Sequence, residues 1–193
     1  MLIAAVTGVA VAIVAGLAVA KSFTLKVSNN VHVTNTPTKA FRVKAVDAHE
    51  AVAVGPSGFP VYTFQGETTR HLICKKTSSQ ATNCWAFWPP VTVNSVKGLS
   101  AQKGITGKLK TFRNHGLLQV TLDGKPLYNF TPDIMSNNRK QATGDELKTF
   151  GSIWHIVKAS GAGVKHGTTS TSTTTTVSTT SSSTTSCLYP PCY

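Results

Sequence analysis

The sequence predicts a mainly β fold: a single disulfide-bonded domain built from two internal repeats of about 66 residues, each centred on a β-hairpin. Three observations predict it. Gly58-Phe59-Pro60-Val61-Tyr62-Thr63-Phe64-Gln65-Gly66-Glu67 and Gly124-Lys125-Pro126-Leu127-Tyr128-Asn129-Phe130-Thr131-Pro132-Asp133 share the pattern G-x-P-[VL]-Y-x-F-x-x-[DE]. Trp88 and Trp154 keep the same offset, each following the phenylalanine of its copy, Phe64 or Phe130, at an identical spacing. Short apolar and polar alternations bounded by Gly and Pro signals supply the strands, and a fixed internal period identifies the folding unit.

In chain order, residues 2–20 form an almost unbroken apolar run that ends Ala18-Val19-Ala20 before Lys21. Small residues at 18 and 20 suit a signal peptidase, so 1–20 reads as a signal peptide cleaved after Ala20 or as a retained transmembrane anchor. Lys21 and Lys26 behind the run favour an N-out orientation if it is retained. Residues 21–40 form a polar N-terminal arm. The body, 41–160, opens with Phe41, Arg42, Val43, Lys44 and Ala45, an alternation of apolar and basic residues expected of a half-buried strand.

Ala51-Val52-Ala53-Val54 reads as a short buried strand stopped by Gly55-Pro56-Ser57-Gly58. Pro60 enters the next strand, on which Tyr62 and Phe64 share a face. In the second copy Leu118-Gln119-Val120-Thr121-Leu122 alternates, Asp123-Gly124 is a hairpin turn, and Pro126-Leu127-Tyr128-Asn129-Phe130 returns. A polar segment follows each returning arm, holding Cys74 and Cys84 in the first copy and no cysteine in the second.

The composition changes after residue 160. Residues 161–186 are Ser/Thr-rich and cannot form a core, so they read as disordered, and 187–193 close the chain as a Cys-Leu-Tyr-Pro-Pro-Cys-Tyr knob. The four cysteines allow three complete pairings; Cys74 with Cys84 and Cys187 with Cys192 is the simplest, and an oxidising compartment permits it. Zinc is disfavoured because neither pair has C-x2-C spacing.

The repeated Tyr62, Phe64, Glu67, Trp88, Tyr128, Phe130, Asp133 and Trp154 read first as structure: packed rings, with carboxylates that cap backbone amides or accept from a tyrosine or tryptophan. The functional alternative is a pair of acids across a groove, holding a cation or a sugar. His32, His49, His71, His115, His155 and His166 are scattered and show neither H-x-x-x-H nor H-E-x-x-H spacing, so no metal ligands are assigned. There is no G-x-S-x-G elbow and no phosphate-binding glycine loop, so no catalytic residue and no cofactor is expected.

The body resembles the bacterial secreted repeat of unknown function, also described as predicted lipoproteins with a Y-x-[FWY]-x-x-D motif. The resemblance rests on Tyr62-Thr63-Phe64-Gln65-Gly66-Glu67, where glutamate replaces aspartate, and on Tyr128-Asn129-Phe130-Thr131-Pro132-Asp133. Cys74, Cys84, Trp88-Pro89-Pro90, the hairpin over 120–128 and Gly151-Ser152-Ile153-Trp154-His155 extend it over about residues 43–158. It implies export, a two-repeat body and a bond between Cys74 and Cys84, and supplies no catalytic residues. The family's lipid-modified cysteine has no counterpart near the leader.

Charge is the remaining clue. The chain carries 19 basic against 7 acidic residues, a net +12. Lys97, Lys103, Lys108, Lys110 and Arg113 fall within one acid-free stretch, as expected of a protein drawn to an anionic cell-wall polymer, polysaccharide or membrane surface. No nucleic-acid motif accompanies them. The expectation is therefore a non-enzymatic exported or cell-surface protein associating with anionic envelope components. The alternative is a metal-binding or redox-associated envelope protein using Glu67, Asp133 and nearby histidines.

Overall fold

Strand β1 (Lys26–Thr34) runs through the middle of a three-stranded sheet, antiparallel to β2 (Asp47–Val54) and parallel to β8 (Gln141–Ala142). Its Val31 and Val33 are fully buried, so part of the segment 21–40 belongs to the core of the body. The computed structural model describes residues 24–160; the apolar leader and the Ser/Thr tail with Cys187 and Cys192 lie outside the described residues. Among the described residues no helix is long and apolar enough to cross a membrane, which corrects the transmembrane expectation there.

Residues 41–45 are not the strand that their alternation predicts. A short 3-10 segment, Thr36–Phe41, takes in the first of them, and only Arg42 makes a β-bridge, to Leu147. Val43 is 47% exposed. The buried Asn35 accounts for the irregular path: its Nδ2 donates to Lys44 O at 2.7 Å and its Oδ1 accepts from Val46 N at 3.2 Å. A side chain thus takes the place of a ladder partner.

Beyond β2 the chain turns through residues 55–58, closed by Gly58 N to Gly55 O at 2.9 Å, with Gly58 at φ +82°. Strand β3 (Tyr62–Phe64) then pairs antiparallel with β10 (Ser152–Ile156), whose other edge takes β9 (Lys148–Thr149). The third sheet contains β4 (Thr92–Val93), β5 (Leu109–Asn114), β6 (Leu117–Leu122) and β7 (Lys125–Pro126). Asp123 and Gly124 both have positive φ, 51° and 77°, the geometry that makes an Asp-Gly turn fit the twist of its strands. The returning arm forms a ladder with β6 only over Lys125 and Pro126, then leaves it to bridge Tyr62 and Pro90 through Tyr128.

Strand β6 departs from simple alternation because both of its faces are covered. Gln119 and Thr121 are buried beside Val120 and Leu122. Gln119 is satisfied inside, accepting from Asn114 Nδ2 at 2.8 Å and donating to Leu127 O at 3.1 Å. Two one- to two-turn helices complete the domain, α1 (Cys84–Phe87) and α2 (Thr131–Ser136). The described residues form a β-rich domain with one disulfide, Cys74 to Cys84 at 2.02 Å.

Candidate functional site

The repeated decapeptides meet each other. Tyr62 and Tyr128 exchange backbone hydrogen bonds, N to O at 2.8 Å in one direction and 3.0 Å in the other. On one flank Val157 N donates to Val61 O at 2.9 Å, and on the other Val91 N donates to Leu127 O at 2.9 Å. Donor matches donor and acceptor matches acceptor at the sequence offset that separates Tyr62 from Tyr128.

The side chains then cross over. Tyr62 donates from its hydroxyl to Asp133 Oδ2 at 2.6 Å, while Asp133 Oδ1 accepts from Thr143 N at 2.9 Å and Thr143 Oγ1 at 2.6 Å. Burial pushes the Asp133 carboxyl up to about 6, against the pull of its donors, Thr143 and Tyr62. The Tyr62 phenol is raised well above its ordinary value, first by burial and then by the Asp133 charge. Glu67 Oε1 likewise accepts from Ile73 N and Cys74 N, both at 2.8 Å, and this ties the disulfide loop to the strand before it. Burial raises the Glu67 carboxyl; those two amides oppose the rise. The Tyr128 phenol is raised by burial and by the Glu67 charge. This second pair is looser, since Glu67 Oε2 and Tyr128 OH are both buried without a closed hydrogen bond.

Behind the tyrosines four rings stack in series. Phe64 lies 4.1 Å from Trp154, Trp154 lies 3.8 Å from Trp88, and Trp88 lies 4.2 Å from Phe130. Tyr62 meets Trp88 edge-on and Tyr128 meets Trp154 edge-on, both at 5.3 Å. None of the eight repeated residues is more than 1% exposed. Their carboxylates are engaged by amides and hydroxyls, so Glu67 and Asp133 frame no open groove, and His71, the nearest histidine in sequence to Glu67, is exposed.

A different set of ligand-type groups converges. Asp145, Glu146 and His155 bring one ligand atom each to within 4.8 Å of one another, with Glu146 Oε1 3.2 Å from His155 Nδ1. His155 is the penultimate residue of β10; the two acids come from the loop between β8 and β9. That loop is pinned from several sides. Glu146 N donates to Trp154 O at 2.9 Å, Asp145 Oδ1 accepts from Ile156 N at 2.9 Å, and Asn35 Nδ2 donates to Asp145 O at 2.8 Å. Gly144 lets it pass beneath the ring stack, because a Cβ there would lie 2.7 Å from Trp88 Cη2.

Glu146 is held at φ +58°, a conformation that side-chain-bearing residues rarely adopt. Burial pushes the Asp145 carboxyl up; the Ile156 amide opposes this, the Glu146 charge adds to it, and Lys158 and His155 lower it. The three groups line a cleft of about 470 Å³, whose walls also carry Asp47, Glu50, Lys44 and Lys158. Lys158 is paired with Glu50 at 2.8 Å.

Four of the seven acids of this basic chain therefore line one cleft. The other three are spoken for: Asp133 accepts from Tyr62 and Thr143, Glu67 accepts from Ile73 N and Cys74 N, and Asp123 Oδ1 accepts from Lys108 N at 2.7 Å. Spacing alone carries no sign of the set. Asp145 and Glu146 are adjacent, and His155 follows at a separation with no helical or strand periodicity. The signal that was present is the scarcity of acids, which made an Asp-Glu pair conspicuous.

The basic residues lie elsewhere. Lys97, Lys103, Lys108, Lys110 and Arg113 are all exposed, in and before β5, and none belongs to an ion pair among the described residues. His32 bonds Asp47 at 2.7 Å and stacks on His49. Compared with protein-family models, curated proteins and solved structures, the chain matches none.

Proposed function

We propose that this chain is a metal-binding protein whose Asp145–Glu146–His155 cleft holds a divalent ion. One observation carries the reading: an imidazole and two carboxylates converge within 4.8 Å in the cleft that collects most of the acid of a +12 chain. One nitrogen with two oxygens suits Zn²⁺, Cu²⁺ or Ni²⁺ better than Mg²⁺ or Ca²⁺, which favour oxygen alone. Asp145 would bind through Oδ2, since Oδ1 is engaged by Ile156 N. Three protein ligands would leave a position for water or another ligand.

The protein is read as an exported, non-enzymatic binding protein of the envelope, in keeping with its apolar leader and its resemblance to the secreted-repeat family. The crossed facing of each tyrosine and the other segment's carboxylate, with the matched backbone bonds, supports a duplicated scaffold whose β3 pairs with β10, and hence positions His155. The five exposed bases, in no ion pair among the described residues, support a second property, attachment to an anionic envelope polymer or membrane.

Zn²⁺ titrated calorimetrically into the full, untagged chain tests the metal reading. A bound equivalent that disappears in both Glu146→Gln and His155→Gln is the expected result. An unchanged isotherm in those two variants overturns it.

A further inference from the structure

We propose a second metal site on the outer face of the β1–β2 ribbon, formed by His32 and His49 with Asp47 as the supporting carboxylate, for Cu²⁺, Ni²⁺ or Zn²⁺. It uses none of Asp145, Glu146 and His155. His32 and His49 stand directly opposite each other in the antiparallel pairing, which brings opposed side chains to neighbouring positions. Their rings stack with centroids 4.9 Å apart and 10° between planes.

Asp47 Oδ1 lies 2.7 Å from His32 Nε2. A carboxylate in that position accepts a hydrogen bond from Nε2–H, which in the neutral ring leaves the Nδ1 lone pair for an ion and sets the ring's orientation. Histidines that ligate metals are supported in this way, by a hydrogen bond from the nitrogen that does not touch the ion. His49 is exposed and makes no side-chain hydrogen bond among the described residues. It can therefore leave the stack by turning about its side-chain bonds, so that its own nitrogen and His32 Nδ1 address one ion. The strands beneath supply the rigidity: Val31 and Val33, flanking His32, are fully buried. Two imidazoles select late first-row divalent ions and discriminate against Mg²⁺ and Ca²⁺.

Cu²⁺ added to the full, untagged chain, read by electron paramagnetic resonance and by calorimetric stoichiometry, tests the site. The expected spectrum contains a component coupled to two imidazole nitrogens, absent from His32→Gln and from His49→Gln, with one ion fewer bound in each. Asp47→Asn keeps that component but weakens binding by about 10–100-fold, the usual consequence of removing a supporting carboxylate. His155→Gln keeps it unchanged, so a failure of the cleft and a failure of this site are told apart. Because both histidines are solvent-facing, the variants are expected to retain the parent melting transition. Equal stoichiometry and an equal spectrum in the His32→Gln/His49→Gln double variant overturn the proposal. So does loss of the two-nitrogen component in His155→Gln, which would make the two sites one.

Discussion

Trp88 and Trp154, which occupy matching positions after the two decapeptides, stack face to face at 3.8 Å with 5° between their planes. Each also carries the phenylalanine of the other copy on its outer face and the tyrosine of its own copy edge-on. The pair is the centre of the buried aromatic cluster. Replacing either tryptophan by alanine is expected to cost about 3–5 kcal/mol, as for other large buried aromatics. Two indoles this close couple their transitions, so the circular dichroism couplet from the pair should vanish in both single variants. A couplet that survives in Trp88→Ala would contradict the contact.

The two tyrosines are not equivalent, although their sequence contexts are. Tyr62 closes a 2.6 Å bond to Asp133, whereas Tyr128 OH and Glu67 Oε2 leave theirs open. Tyr62→Phe strands a buried carboxylate oxygen and is expected to cost about 1–3 kcal/mol; Tyr128→Phe should cost less than about 1 kcal/mol. Denaturant midpoints of the two variants, compared at equal m-value, decide the order.

Asp133 gives the fold a pH dependence of unusual sign. Its folded carboxyl titrates near 6, above the ordinary value of about 3.9 for an unfolded aspartate. Below that ordinary value both states are protonated and no penalty arises. As pH rises toward 6 the unfolded chain loses its proton first, so this group's contribution to stability declines over that window and is level above it. The decline is on the order of 3 kcal/mol. Asp133→Asn should flatten it, which a series of melts from pH 3.5 to 7.5 (about the span of the two pKa values) would reveal.

The disulfide and the Glu67 carboxylate form one unit, because Cys74 N is a donor to Glu67 Oε1. Cys84→Ser is expected to cost on the order of 2–3 kcal/mol from loop closure alone. Loosening the 74–84 loop also removes amide donors from a buried carboxylate, so the effect should grow with pH as Glu67 ionises. Melts of the variant and parent at acid and neutral pH measure this growth, and equal losses at the two pH values would show that the carboxylate does not depend on the loop.

Parts of this arrangement were legible in the residues. The turns at 55–58 and 123–124, the strand carrying Tyr62 and Phe64 and the short bond between Cys74 and Cys84 follow from local chemistry: glycine where φ is positive, proline at a strand entry, two cysteines close in sequence. Residues 41–45 misled because Asn35, outside the alternation, supplies the hydrogen bonds that a strand would have taken from a neighbour. Gln119 and Thr121 misled because polarity signals exposure only when both faces of a strand are not covered, and Gln119 finds its partners inside.

What the sequence by itself determined is a pair of matched segments with two tryptophans at the same spacing and a β-rich body. Periodicity and turn propensity are local properties, and a sequence displays them directly. What only the tertiary structure decided is that each tyrosine faces the carboxylate of the other segment, and that Asp145 and Glu146 reach His155. These are contacts across bends in the chain, and their geometry is set by the bridge between Tyr62 and Tyr128, the buried amide of Asn35 and the space left by Gly144 under Trp88.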